Sequence, residues 1–355
     1  MLFTNGDFEK WGLELLSYTL LSTESYPSNV SRTVIFFPNR VQSQHLGVNQ
    51  KRSFVPWDIR HEISCIKRFF IISYRKGIIF SRSMGQAVNF YTTLERLSGR
   101  WWFLLILFLL FFIPSYSAVE IDPVEIPKLI VEILSNPLIY SFPVIYPLFK
   151  IIPIVFIVLL AMTKNRAVRA FDIYVAALSL GFASLQTTAV TGMYGLSILT
   201  GNLVVYTIVA FFWVVDAVVK ENEITGDNRT LWRYWVAPFA FFSFWYPIDT
   251  ATLAPDFSPL YMLSSESGLT YCMMTPVLLA IVMIFFSKLN RAAIRVTGFA
   301  GTVTGLFNIV QIVVNPTAWW MGVLHIPLFV VSLYAFSMSF SRDKQEAGLH
   351  RKLSM

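Results

Sequence analysis

The sequence predicts an all-α, polytopic membrane protein with eight transmembrane helices, and three observations predict it. The chain of 355 residues is 55% hydrophobic and 16% aromatic but only 14% charged, with a mean hydropathy of +0.58; a soluble domain carries about 25% charged residues. From residue 101 onward, apolar runs of roughly 17–24 residues recur, enough to cross a hydrocarbon core of about 30 Å at about 1.5 Å per residue. The basic residues sit between these runs rather than within them, which is how helical membrane proteins set their orientation. The sequence lacks the period-two alternation, in segments of about ten residues, that marks a transmembrane β-barrel.

Residues 1–99 differ in kind. The first hundred positions hold thirteen Lys/Arg against seven Asp/Glu and no run of membrane length. Their one apolar patch, IKRFFIISYRKGIIF at 66–80, is interrupted by Arg75 and Lys76, a pattern that fits a basic helix lying on anionic headgroups. The expectation is a basic, largely cytoplasmic and poorly ordered segment. Met84, followed by GQAVNFYTTLERLSGR, offers an alternative beginning. The basic–apolar–small pattern of a cleaved signal peptide does not open the chain.

The eight spans fall at about 101–118, 143–162, 171–190, 201–219, 234–247, 268–287, 296–315 and 319–340. Pro147 and Pro153 lie in the second, which predicts a kink or local unwinding there. Between the first and second, VEIPKLIVEILSNP at 124–137 repeats Ile126, Leu129, Ile130 and Ile133 at three and four residues, the spacing of a surface helix. If odd spans run outward, the inner side receives Arg96, Arg100, Lys164, Arg166, Arg169, Lys220, Arg229, Arg233, Lys288, Arg291, Arg295 and the tail SRDKQEAGLHRK. The outer loops then receive only Lys128 among basic residues, beside Glu120, Asp122, Glu125, Glu132, Asp256 and Glu266. The positive-inside bias therefore places both termini in the cytosol, N-in and C-in, in the cell membrane.

The basic connector TKNRAVRAF at 163–171 returns as KLNRAAIRV at 288–296, and other features recur around it in order. Arg100-Trp-Trp and Arg233-Tyr-Trp are each followed by eleven residues and then a proline, Pro114 or Pro247. Pro153 and Pro276 precede the shared Asn-Arg-Ala, and Gly181-Phe-Ala and Gly298-Phe-Ala follow it. Tyr194-Gly-Leu and Met321-Gly-Val open the fourth and eighth spans. This order predicts a 4+4 tandem repeat: a four-helix unit at 100–219, a cytoplasmic linker at 220–232, a second unit at 233–340 and a cytoplasmic tail at 341–355. Units with an even number of spans face the same way, so the repeat is parallel, an arrangement found in secondary transporters.

Polar groups inside hydrocarbon cost roughly 2.5–3.5 kcal/mol at a helix centre, so they are the first functional candidates. Depth counting places Lys150, Asp249, Asn308, Gln311 and His325 together in the outer half, where they could line a polar binding site. Lys150 could also pair with Asp249, or snorkel. Gln186, Thr187, Thr188 and Asn202 could line a path. Asp172 is in helical reach of Arg169, and Asp216 of Lys220, both structural pairings. Gly301-Thr-Val-Thr-Gly305 is a small-xxx-small helix contact.

Cys65 and Cys272 stand far apart, four histidines are scattered, and no CxxC occurs, so no metal site and no cofactor is predicted. The chain has no GxSxG, HExxH or P-loop, which argues against an enzyme without excluding one. Its net charge of +7 flanks the spans, so the bilayer, not nucleic acid, is the expected partner. Three function classes fit: a transporter of a small solute or ion, an enzyme acting on a lipid or lipid-linked substrate, and a non-catalytic scaffold subunit. The transporter leads on architecture. The sequence sets no oligomeric state.

Overall fold

The computed structural model describes residues 89–224, 231–250, 252–314 and 319–341. The expectations for residues 1–88, for Arg229 and for the tail beyond 341 lie outside the described residues. The described chain is mostly helical. Four of its helices are long and apolar enough to cross a membrane: Pro143–Thr163, Asn165–Gln186, Thr200–Val219 and Trp319–Met338. A fifth crossing is available if Tyr261–Leu269 and Tyr271–Phe285, bent by 98° at their junction, count as one broken span.

The helices, in order, are α1 (89–98), α2 (Trp101–Leu110), α3 (Ile126–Ser135), α4 (Tyr146–Thr163), α5 (Asn165–Gly181) and α6 (Thr200–Val219). The second half holds α7 (Ala237–Trp245), α8 (Tyr261–Ser264), α9 (Tyr271–Phe285), α10 (Arg291–Ile309), α11 (Gln311–Val314), α12 (Trp319–Leu324) and α13 (Ile326–Met338). Helices α5, α6, α9, α10 and α13 build the main core around Phe171, Trp213, Leu279, Ala293 and Val331. Helix α4 is peripheral and leaves most of its apolar side chains exposed, as a face turned to lipid does. Helix α3 is the amphipathic helix read from the sequence; Leu129 and Ile133 are buried against Ala189, Tyr194 and Leu199.

Glycines set the closest helix contact. A Cβ at Gly298 would lie 2.8 Å from the Phe336 backbone nitrogen, and one at Gly305 would lie 2.8 Å from that of Phe329. Gly301 meets Ser332. The small-residue stripe of α10 is therefore where α13 packs backbone to backbone.

Four expectations need correction. The chain is not purely α-helical: β1 (Tyr116–Ser117), β2 (Thr188–Thr191) and β3 (Gly195–Ile198) form a small antiparallel sheet in the order β1-β3-β2. Thr188, Val190 and Thr191 are β-branched or half-exposed positions, and Gly195 takes φ +63° after the turn, so a hairpin replaces the end of the third span. The first and fifth runs form helices of only 10 and 9 residues. Pro114, which lacks an N–H, follows the first, and Tyr246 in the left-handed region at φ 57° ends the other. The third and seventh helices begin within the connectors, earlier than 171 and 296: Lys164 turns the chain at φ 50°, and the side chain of Asn290 caps α10 by accepting from Ala293 N at 3.0 Å. Finally, Asp172 and Asp216 do not rely on Arg169 and Lys220. Both are buried and accept from the side-chain amide of Asn222.

That last contact explains the repeated connector. Segment 221–224 threads between the two connectors. Ile224 N donates to Asn165 Oδ1 at 2.6 Å, Asn290 N donates to Asn222 Oδ1 at 2.8 Å, and Lys288 pairs with Glu221 at 2.7 Å. Asn165 holds the segment through its side-chain oxygen, whereas Asn290 holds it through its backbone N–H and spends its side chain on the cap of α10.

Candidate functional site

Three helix breaks meet at one place. Helix α5 passes into a π-helical turn at Phe182–Gln186 before Thr187. The short helix Glu266–Leu269 meets α9 at Thr270. Helices α12 and α13 are separated by His325, with Pro327 at the start of α13. Two of the breaks have a local cause: a π turn inserts an extra residue, and Pro327 cannot donate to the preceding turn. All three deliver polar side chains, Gln186 and Thr187, Thr270, and His325, into one cavity of about 150 Å³. Non-helical backbone at membrane depth is tolerated where it is buried in protein or lines a cavity.

Asn202 from α6, Asn308 from α10, and the rings of Tyr140, Tyr206 and Tyr246 complete the wall with Cys272. Tyr206 is fixed by stacking on Tyr271, with centroids 3.9 Å apart and planes at 16°. Gln186 is fixed through Oε1, which accepts Tyr271 N at 2.8 Å. Asn308 Nδ2 donates to Thr304 O at 2.8 Å. His325 Nδ1 lies 2.6 Å from Met321 O. A carbonyl oxygen only accepts, so Nδ1 carries the hydrogen and Nε2 is the ring position left for other partners.

A second cavity, about 440 Å³, adjoins the first and shares Asn202, Thr304 and Asn308 with it. It is bounded by Phe111–Ser115 after α2, by Phe307, and by Ile126, Ile130 and Leu134 of α3. Both cavities lie where α5 ends and α6 begins, about 30 Å along the bundle from the Asn165 connector at about 1.5 Å per residue. Helix α3 lines the outer cavity through Ile126, Ile130 and Leu134 and reaches the inner one through Leu134.

Of the five residues read from the sequence as one site, His325 and Asn308 are brought together. Gln311 opens α11, and its side chain lies outside what the structure describes. Lys150 stands elsewhere. It is fully buried, donates to Phe244 O and to Ser267 Oγ, and sits 4.5 Å from the centre of the Phe244 ring. Phe244 O is a last-turn carbonyl of α7, so Lys150 caps that helix and ties α4 to it. The pairing with Asp249 is not formed; Asp249 accepts from Thr252 Oγ1 at 2.8 Å in the loop after α7. Gln186, Thr187 and Asn202, read from the sequence as path residues, line the cavity, whereas Thr188 begins β2. Sequence reasoning missed Tyr140, Tyr206, Tyr246 and Thr270, and gave Cys272 no place in the site. Tyrosines are common at membrane interfaces, so only long-range packing singles these out.

No group of three or more His, Cys, Asp or Glu side chains among the described residues is placed to hold a metal ion. No family model, no curated protein and no solved structure matches the chain.

Proposed function

We propose that the chain is a permease of the cell membrane, crossing the bilayer eight times as two parallel four-helix units, N-in and C-in, and passing a small solute through the cavity where its helices break. The observation that carries this reading is the convergence of three interrupted helices on one polar cavity, because discontinuous helices build the binding sites of many secondary transporters. Eight crossings require α2 to be completed by extended chain and α7 by the 3-10 helix Leu231–Val236 that runs into it. A helix of ten residues covers about 15 Å, and five extended residues add about 16 Å.

Recurring neighbours favour the repeat. Helix α5 packs on α6 as α10 packs on α13, α2 on α6 as α7 on α13, and α4 on α5 as α9 on α10. Pro153 and Pro276 both lie inside their helices. The halves also differ: α9 is buried in the core while its counterpart α4 is peripheral, and the hairpin of the first half has no strand counterpart among the described residues of the second.

The test is solute uptake by proteoliposomes holding the purified chain. His325→Ala and Gln186→Ala should each change the rate about tenfold or more, the equivalent of about 1.4 kcal/mol. Wild-type vesicles no leakier than empty ones to every solute tried would count against permeation. A second reading is favoured by one observation, that Cys272 and His325 line the same cavity: an enzyme using a thiol on a lipid-linked substrate. In that case Cys272→Ala and Cys272→Ser would both abolish turnover, whereas a permease needs no thiol and would retain flux in Cys272→Ser.

A further inference from the structure

The chemistry of the cavity wall limits what can enter it. Among its described lining residues there is no Asp, Glu, Lys or Arg. Moving a bare ion from water into a low-dielectric interior costs on the order of 20 kcal/mol in the ideal case and several kcal/mol after relaxation. Only a counter-charge, or a dense shell of oxygens, offsets that cost. This wall has no counter-charge, and some of its polar atoms are already engaged: Gln186 Oε1 by Tyr271 N, Asn308 Nδ2 by Thr304 O, and His325 Nδ1 by Met321 O.

What remains is a mixed set of neutral groups. His325 Nε2 and Asn308 Oδ1 are left to accept, and Gln186 Nε2 is left to donate. Tyr206 and Tyr246 present ring surface, with the soft sulfur of Met321 beside the Tyr246 hydroxyl at 3.9 Å. The inner cavity of about 150 Å³ and its adjoining chamber of about 440 Å³ together fall in the size range of small-molecule pockets, about 300–1,000 Å³.

We infer that the cavity binds a small uncharged solute that both donates and accepts hydrogen bonds, an amide, urea or polyol type of molecule, and rejects ions of either sign. This names the substrate class for the permease reading and rests on it for the site, though not for the transport step.

Cys272 supplies a test inside the cavity itself. Purified protein is treated with methyl methanethiosulfonate, which is neutral, and with its trimethylammonium-ethyl and sulfonatoethyl analogues, which are charged. Labelling of Cys272 is counted as the difference between wild type and Cys272→Ala, so Cys65 does not interfere. The neutral reagent should react at least about tenfold faster than either charged one, a discrimination of about 1.4 kcal/mol, and acetamide or urea should slow it. Equal rates for neutral and charged reagents, or no reaction of Cys272 at all, would overturn the inference. Flux of acetamide, urea, potassium and chloride in proteoliposomes separates the two claims. Neutral-selective labelling without acetamide or urea flux leaves the ligand class standing and removes the transport step; ion flux without neutral flux removes the ligand class and leaves permeation.

Discussion

Lys150 is buried without a carboxylate in contact, and its role follows from what its ammonium touches. It donates to a last-turn carbonyl of α7 and to a buried serine that itself donates to the same carbonyl at 3.1 Å. Lys150→Ala should lower apparent stability by about 2–5 kcal/mol, since it leaves both a cavity and unpaired polar atoms. Lys150→Met, which keeps the volume, should cost less. Thermal unfolding in detergent checks the order, and equal losses would contradict the capping role. Asn222 is a similar case. Its one amide group serves two buried carboxylates, bonding Asp172 through Oδ1 and leaving Asp172 Oδ2 without a hydrogen-bond partner. Asn222→Leu strands both acceptors at about 1–3 kcal/mol each, so its melting point should fall well below that of a surface substitution such as Arg169→Gln. Residue types alone showed that Lys150, Asp172 and Asp216 had to be accounted for, because charge in an apolar run is costly. They could not show the partners, which come from 94, 50 and 6 residues away along the chain.

At the scale of elements, apolar length and periodicity were legible and helix ends were less so. Helix α3 was readable because its stripe repeats at three and four residues, and α4 and α6 because their runs stay strongly apolar despite Lys150 and Asp216. The breaks at Gln186, Thr270 and His325 were only half visible: Pro327 marks one, while the π turn in FASLQ carries no proline or glycine signal of its own. The close contact of α10 and α13 gives a sharp test. Gly298→Val and Gly305→Val would drive a side chain into the α13 backbone and should each destabilise by about 1–3 kcal/mol or more. Gly181→Ala, where a Cβ meets nothing within 4 Å, should be neutral or stabilise by about 0.5–1 kcal/mol. Melting curves that rank Gly181→Ala with the other two would contradict the packing.

Across the whole molecule, two polar centres stand at opposite ends of an apolar core. One is the clamp formed by Asn165, Asn222 and Asn290 with Asp172 and Asp216; the other is the neutral cavity around His325. The sequence revealed the first as a repeated connector, and the second as a scatter of polar residues from which structure selected His325, Asn308, Gln186, Thr187 and Asn202. The account requires these ends to face opposite sides of the membrane, the clamp to the cytosol and the cavity to the exterior. Single cysteines at Arg166 and Asp122, in a chain with Cys65 and Cys272 replaced by serine, measure this directly when a membrane-impermeant maleimide is added to intact cells. The account predicts that Asp122→Cys is labelled from outside and Arg166→Cys only after the cells are opened. External labelling of Arg166→Cys, with Asp122→Cys protected, would contradict it.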